Sequence, residues 1–330
     1  MVSTLRVLTV MLILFLTLFI SLSQTVVIYS KTETISDARS EAYKAFKALV
    51  EAHAAGGDVN KLTDRLNEAL NLISKAEETE KTNPKEAERL ASEAKTLARS
   101  IIEEAPLVKE EGLKQRQMAT IITATSIVGI VVTGVLICMF GPEAFWRMWL
   151  RLRKNYRVRV RHTPTRGKGS IITSEEVWAV MLAVILIGAV FAASQTFFAG
   201  RVVEPFSELG ILGPNMKIGD YPREVVAGET AKLYIYVGNH MGKPVYYIVM
   251  IKLGDNKTRI DPAPLEPIMK LERTLLHSGT WISPINITLT EAGLNQRIVF
   301  ELWTYNEASN KIEYHQRWGQ IWINVTAPPI

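Results

Sequence analysis

Three runs of the chain, residues 7–28, 118–140 and 177–200, contain no Asp, Glu, Lys, Arg or His. Each reaches or exceeds the ~20 residues a helix needs to cross hydrocarbon. A buried helix of a soluble domain seldom stays apolar beyond ~14 residues and keeps a polar stripe. The expected fold class is therefore a multi-domain membrane protein with three transmembrane helices. The first run has a second reading as a signal peptide, with Arg6 as a thin basic region and Ser21-Leu22-Ser23 as a small-x-small cleavage site. Its apolar stretch continues past that site, which favours a retained anchor over 1–29. Both readings put the segment that follows outside the membrane.

Between Pro142 and Ser170 stand nine Lys and Arg against Glu143 alone, a net of +8 in a chain whose total is +5, so the remainder carries −3. A short loop this basic between two spans is retained in the cytoplasm by the positive-inside rule. The expected topology follows: amino terminus inside, 30–117 outside, transmembrane helix 2 over 118–140, a cytoplasmic loop over 141–174, transmembrane helix 3 over 175–200, and 201–330 outside. Within the loop, Gly141-Pro142 suggests a break followed by a new interfacial helix, since Pro suits a first helical turn. Phe145, Met148, Trp149 and Leu152 recur at helical spacing there. Trp146, Trp149, Arg147, Arg151, Arg153 and Lys154 are the expected contacts to anionic lipid headgroups, each base near such a surface adding about 1 kcal/mol of attraction. A nucleic-acid partner is not expected, because that role wants a basic face on a folded domain.

Residues 30–117 are rich in Ala, Glu, Lys and Leu, which favours helix. Apolar stripes at helical spacing run through Ala38, Ala42, Ala45, Phe46, Leu49 and Val50, through Leu62, Leu66, Ala69, Leu70, Ile73 and Ala76, and through Ala87, Leu90, Ala91, Ala94, Leu97, Ala98, Ile101 and Ile102. Gly56-Gly57 ends the first, with Asp58 or Asn60 available to cap the second, and Pro84 opens the third. These predict an extracytoplasmic helical bundle or hairpin, read as a stalk in preference to a docking module.

From residue 201 the texture changes to short β-branched and aromatic runs punctuated by Gly, Asn, Asp and Pro. Around Asn286 the odd positions Trp281, Ile285, Ile287 and Leu289 share one face, and Ile282, Pro284, Asn286 and Thr288 the other. The expectation is a C-terminal all-β immunoglobulin-like sandwich, with Trp303 or Trp322 as a core aromatic. The only cysteine, Cys138, lies in the second apolar run, so packing alone must hold the sandwich. Three sequons, at Asn256, Asn286 and Asn324, are candidate N-glycosylation sites on this expected outer segment.

Phe206, Glu208, Leu212-Gly213-Pro214, Tyr221-Pro222, Gly228-Glu229 and Asn239-His240 with Gly242 form a spaced pattern. In it the chain resembles an archaeal membrane-protein family known as domain of unknown function 1616. The resemblance covers about the last 155 residues of the chain, from the third apolar run onward. It implies an extracytoplasmic immunoglobulin-like domain after a membrane span, and implies no activity. Met241 follows the Asn-His pair where an acidic residue would be expected. Read from the residues alone, Asn239-His240-Met241-Gly242 is a hairpin-like turn. Asn239 and His240 are also a candidate recognition turn.

No catalytic residue, cofactor or metal ligand is expected. The five His are scattered in sequence, and no phosphate loop, dinucleotide fingerprint or nucleophile elbow occurs. The function expected is that of a non-enzymatic, membrane-anchored cell-surface protein presenting a helical stalk and an immunoglobulin-like domain at the envelope. The alternative is an accessory subunit of a secretion or glycosylation complex. Its partners would be the membrane and envelope or membrane proteins.

Overall fold

The structure is a computed structural model that describes residues 34–153, 175–198 and 204–328, with only the backbone described for 137–153, 175–179, 182 and 195–198. The first apolar run, Lys154 and the rest of the basic loop to residue 174 lie outside the described residues, as do the side chains of Trp146, Arg147, Trp149, Arg151 and Arg153. The chain divides into two compact units, one of residues 1–113 with 202–330, the other of 114–201.

In the first unit, helix α1 spans 34–54 and α2 spans Asn60–Thr79. Helix α3 begins at Pro84 and runs to Arg153. The three stripes are buried along most of their length, with Phe46, Leu49, Leu66, Ala94 and Ile101 fully enclosed and Val50, Leu97 and Ile102 half-buried against the same core. Gly56, at φ 94°, closes α1. A side chain on Gly57 or Gly112 would collide with backbone, since a Cβ on Gly112 would sit 2.3 Å from the Gly57 nitrogen. These two glycines let the α1–α2 turn lie against α3. Asp58 does not cap α2 through N2 or N3; its carboxylate instead accepts the N–H of Asn60, the first residue of the helix (3.1 Å). At α3 the side chain of Asn83 accepts the Glu86 N–H (3.3 Å) one turn in.

Eight strands follow: β1 Phe206–Leu212, β2 Glu224–Val226, β3 Thr230–His240, β4 Val245–Gly254, β5 Met269–Leu275, β6 Thr280–Thr288, β7 Gly293–Asn306 and β8 Lys311–Thr326. They form a three-stranded sheet, β1-β3-β6, and a five-stranded sheet, β2-β8-β7-β4-β5. The β8-β7-β4 and β3-β6 pairings match the G-F-C and B-E pairings of an immunoglobulin-type sandwich. Inward residues of both sheets, among them Leu233, Ile235, Val249, Ile285, Phe300 and Ile323, make one core.

The Trp expectation is corrected here. The buried tryptophan is Trp281, 8% exposed, whereas Trp322 is 38% exposed on the outer face beneath the Arg297 guanidinium, 4.3 Å from its ring centre. Trp303 is half-buried, also on the outer face, and donates to Glu301 (3.0 Å). The turn after Asn239 is not a hairpin either. It carries the chain from β3 in one sheet to β4 in the other.

The helices share a core with the outer face of the five-stranded sheet, to which Tyr246, Ile248 and Tyr305 contribute. Tyr43 of α1 stacks on Tyr305 at 4.2 Å, and Arg39 pairs with Glu77 of α2 (2.7 Å) and with Glu272 of β5. A free stalk is therefore not what these residues form.

In the second unit, α3 passes Gly141-Pro142 without the expected break. An interior proline removes one backbone hydrogen bond, so α3 continues here with one bond fewer. Helix α4 spans Glu175–Phe198. Among the described residues one helix, Pro84–Leu136, is long and apolar enough to cross a membrane; the stretch of α4 that qualifies as apolar, Ala183–Ser194, is shorter. Of the three expected spans, the second thus has a candidate helix, the third a shorter apolar stretch, and the first lies outside the described residues.

Candidate functional site

The described residues bring together side chains that lie far apart in sequence at the end of the sandwich where β1 begins. Leu302 pairs with Arg317, but the next residue, Trp303, pairs with Tyr314, so His315 and Gln316 bulge out of the β7–β8 ladder. Gln316 takes φ 55°, a left-handed conformation uncommon for a residue with a side chain. Bulges of this kind re-aim side chains. Here the His315 Nε2 lies 2.8 Å from the Ser207 hydroxyl of β1, in the other sheet.

Ser207 is itself 2.6 Å from the Tyr247 hydroxyl, and Tyr247 donates to Asn239 (3.3 Å). Burial holds His315 below the ordinary imidazole range, and Arg317 adds to the shift. Burial also pushes the Tyr247 phenol up to about 12, against a smaller opposing effect of the Ser207 hydrogen bond. The cluster is thus neutral at neutral pH. It is a chain of hydrogen-bonded groups from β1, β3, β4 and β8 that pins both sheets together.

Asn239 proves to be architecture. It is fully buried, its amide donates to the carbonyls of Lys243 (2.9 Å) and Leu275 (2.8 Å), and its oxygen accepts the Met241 N–H (2.9 Å). His240 remains partly exposed, stacked on Phe206 at 4.5 Å and 3.7 Å from the Glu208 carboxylate. Glu208 in turn accepts from Tyr236 (2.8 Å), and that bond is the first cause of the raised Tyr236 phenol. Among the described residues no group of three or more His, Cys, Asp or Glu is placed to hold a metal ion.

Beside the cluster lies a cleft of about 300 Å³ lined by Phe206, Ser207, Met241, His315, Gln316 and Arg317, among others. A larger one, about 600 Å³, has Leu265, Thr290 and Glu291 in its wall, and its Asp255 is spent on the turn at Lys257 and Thr258. Of the sequons, Asn256 and Asn286 are exposed, while the Asn324 side chain is half-buried and accepts the Asn295 N–H (2.8 Å).

Ser207, Tyr247 and His315 were not legible as a group. Ser207 sits between two residues of the spaced pattern, which was the one available signal. His315 looks like any member of an alternating strand until the bulge is known.

Comparison with solved structures gives distant likenesses. A β-glucosidase from Listeria innocua, in complex with glucose, is 13% identical with a TM-score of 0.27, over 37% of this chain and 16% of that one. The CARDB domain of the PF1109 protein from Pyrococcus furiosus is 16% identical with a TM-score of 0.26, over 37% of this chain and 89% of that one. The β-glucosidase EmGH1 from Erythrobacter marinus is 10% identical with a TM-score of 0.26, over 37% of this chain and 16% of that one. The chain thus spans about a sixth of the length of the glucosidases it matches. No curated protein matches it. The family-level match coincides with the β domain that holds the cluster: residues 201–324 match the family described as Domain of unknown function (DUF1616).

Proposed function

We propose that this is a non-enzymatic, membrane-anchored cell-surface protein whose helices α1 and α2, α3 up to Leu113 and the immunoglobulin-like sandwich act as one structural or binding unit. Three spans hold it, with the amino terminus and the basic loop inside and residues 201–330 outside. One observation carries the reading. Along α3 from Met118 to Leu136 and along α4 from Val180 to Phe191, large apolar side chains such as Ile121, Ile122, Val128, Val184 and Ile187 point outward and exposed. Surface of that character and length is stable only against lipid or another apolar partner. The charge of the basic loop supplies the orientation, and the exposed Asn256 and Asn286 suit glycosylation on an outer surface. Anionic headgroups are the expected contacts of Arg147, Arg151, Arg153, Lys154, Trp146 and Trp149.

Washing membranes from the producing cell with alkaline carbonate tests the anchor. The protein should stay in the pellet and leave it only with detergent, and release into the wash would overturn the reading. Affinity purification from the mild-detergent extract then separates the two roles. Recovery alone or with envelope components fits a surface protein, whereas a stoichiometric multi-span partner makes the chain an accessory subunit of a membrane complex.

A further inference from the structure

We propose that the cleft beside the β8 bulge binds a phosphate group, carried by a lipid headgroup or by a free phosphoester. Among the described residues Arg317 is the only formally charged one in the lining, and no carboxylate lines the cleft. Its guanidinium donates to the Gln316 carbonyl (3.1 Å) and makes no ion pair among the described residues. Neighbouring cations are spent: Lys243, in the adjacent cleft, is paired with Glu307 (2.9 Å), and Lys252 is buried against Glu301 (2.9 Å). An exposed, unpaired guanidinium in a concave wall free of carboxylates is complementary to an anion.

The class of anion follows from the donors. A guanidinium offers a planar fork that fits phosphate oxygens two at a time. The exposed Gln316 amide adds further donors at the same wall, while Ser207 and the His315 Nε2 are engaged with each other behind it, so fork and amide together suit the several oxygens of a tetrahedral phosphate. Phe206 and Met241 give the same cleft apolar surface for the body of an ester. The bulge explains why these groups occur together. It leaves His315 and Gln316 without ladder partners, and the left-handed Gln316 is a local conformational cost of the kind that gathers at ligand sites. Only seven residues separate the end of α4 at Phe198 from β1 at Phe206, so if α4 spans the membrane a headgroup is one source within reach.

The test uses the full chain in nanodiscs of phosphatidylcholine, titrated with glycerol phosphate and followed by thermal unfolding. Glycerol phosphate should stabilise the wild type, and Arg317→Gln should need at least about tenfold more of it for the same shift, corresponding to about 1.4 kcal/mol of lost binding. Arg317→Lys should recover part of the effect, because it keeps the charge and loses the fork. Lys232→Gln, which removes an equal charge from an exposed position on β3, should change nothing. A second arm exchanges the lipid for a mixture with phosphatidylglycerol. Stabilisation by that lipid but not by glycerol phosphate, lost in Arg317→Gln, assigns the site to headgroups; stabilisation by the soluble ester assigns it to free phosphoesters, and this arm stands even if the membrane reading fails. Equal behaviour of the wild type and Arg317→Gln in both arms would overturn the proposal.

Discussion

Asn67 on α2 and Thr274 on β5 are joined by a pair of hydrogen bonds: the Asn67 amide donates to the Thr274 carbonyl (3.0 Å), and the Thr274 N–H donates to the Asn67 oxygen (2.8 Å). β5 is the edge of the five-stranded sheet. A side-chain amide therefore takes the place that the peptide group of a next strand would take, and the edge is closed by a helix rather than left as a template for pairing.

Replacing Asn67 with Ala should therefore cost more than an ordinary surface substitution. It strands one donor and one acceptor at a half-covered edge, at about 1–3 kcal/mol, and thermal unfolding of the full chain in detergent measures it. Asn67→Gln should not rescue, since its longer side chain cannot keep both bonds in register. A neutral Asn67→Ala would mean that water replaces the amide without loss.

The tryptophans divide by face. Trp281→Ala opens the sandwich core and should cost ~3–5 kcal/mol, while Trp322→Ala removes an exposed ring and its cation–π contact with Arg297, at about 0.5–1 kcal/mol. Asn286→Gln, on the exposed face of β6, should be neutral in unglycosylated protein. Melting temperatures of the three variants should fall in that order, and equal losses for the two tryptophans would contradict the packing.

His315 gives stability a pH dependence of definite sign. Its folded pKa is depressed, chiefly by burial, so below the unfolded value of 6.5 the unfolded chain takes up a proton that the folded one resists. Stability is full above about pH 6.5 and should fall as pH drops towards the depressed folded value. Ser207 and Tyr247 are its neutral neighbours and Arg317 opposes the imidazolium, while Glu307, paired with Lys243, and Glu313, bonded to Asn306 and Ser309, share a cleft with it without making an ion pair to it among the described residues. Melting of the wild type and His315→Gln compared from about pH 7 to pH 5 should show the variant losing less on acidification. Parallel curves would show that His315 is not the group responsible.

What could be read beforehand was periodic. Stripes such as Ala38, Ala42, Ala45 and Leu49, or the alternation around Ile285 and Ile287, repeat because one face of an element is buried, and burial follows local spacing. The candidate site is not periodic. His315 reaches Ser207 through a bulge that breaks the alternation, and the two residues are 108 positions apart. Trp322 sat in an alternating run on the wrong parity for the core, since Ile321 and Ile323 are the inward residues. The stalk reading failed for a related reason. Tyr43 and Phe46 announce an apolar face, but only the fold reveals that Tyr246 and Tyr305 are what they cover.

Sidedness can be tested at exposed positions of the first unit. With Cys138 replaced by Ser, single cysteines at Lys75 on α2 and Lys232 on β3 should react with an impermeant thiol reagent on whole cells, and one at Thr165 should react only after the membrane is opened. Labelling at Thr165 from outside would invert the topology.

The Lys252–Glu301 pair makes the sharpest prediction about stability. Both side chains are almost fully enclosed, 5% and 0% exposed, with 2.9 Å between the charged atoms. Neither charge has its other partners in water: Lys252 donates to the Ala263 carbonyl (2.6 Å), and Glu301 accepts the Ala263 N–H and the Trp303 indole. The pair therefore holds the segment after β4 onto the outer face of the sheet, and Tyr314 holds the same segment through Asp261 (2.7 Å). Lys252→Met preserves volume but leaves a buried carboxylate without its cation, which should cost about 3–5 kcal/mol. Glu301→Gln in the Lys252→Met background should recover part of that loss, because the amide oxygen still accepts one of the two N–H groups and no charge is left buried. If the double variant is as unstable as Lys252→Met, the lost hydrogen bond from Lys252 to the Ala263 carbonyl rather than the stranded charge is what the sandwich misses.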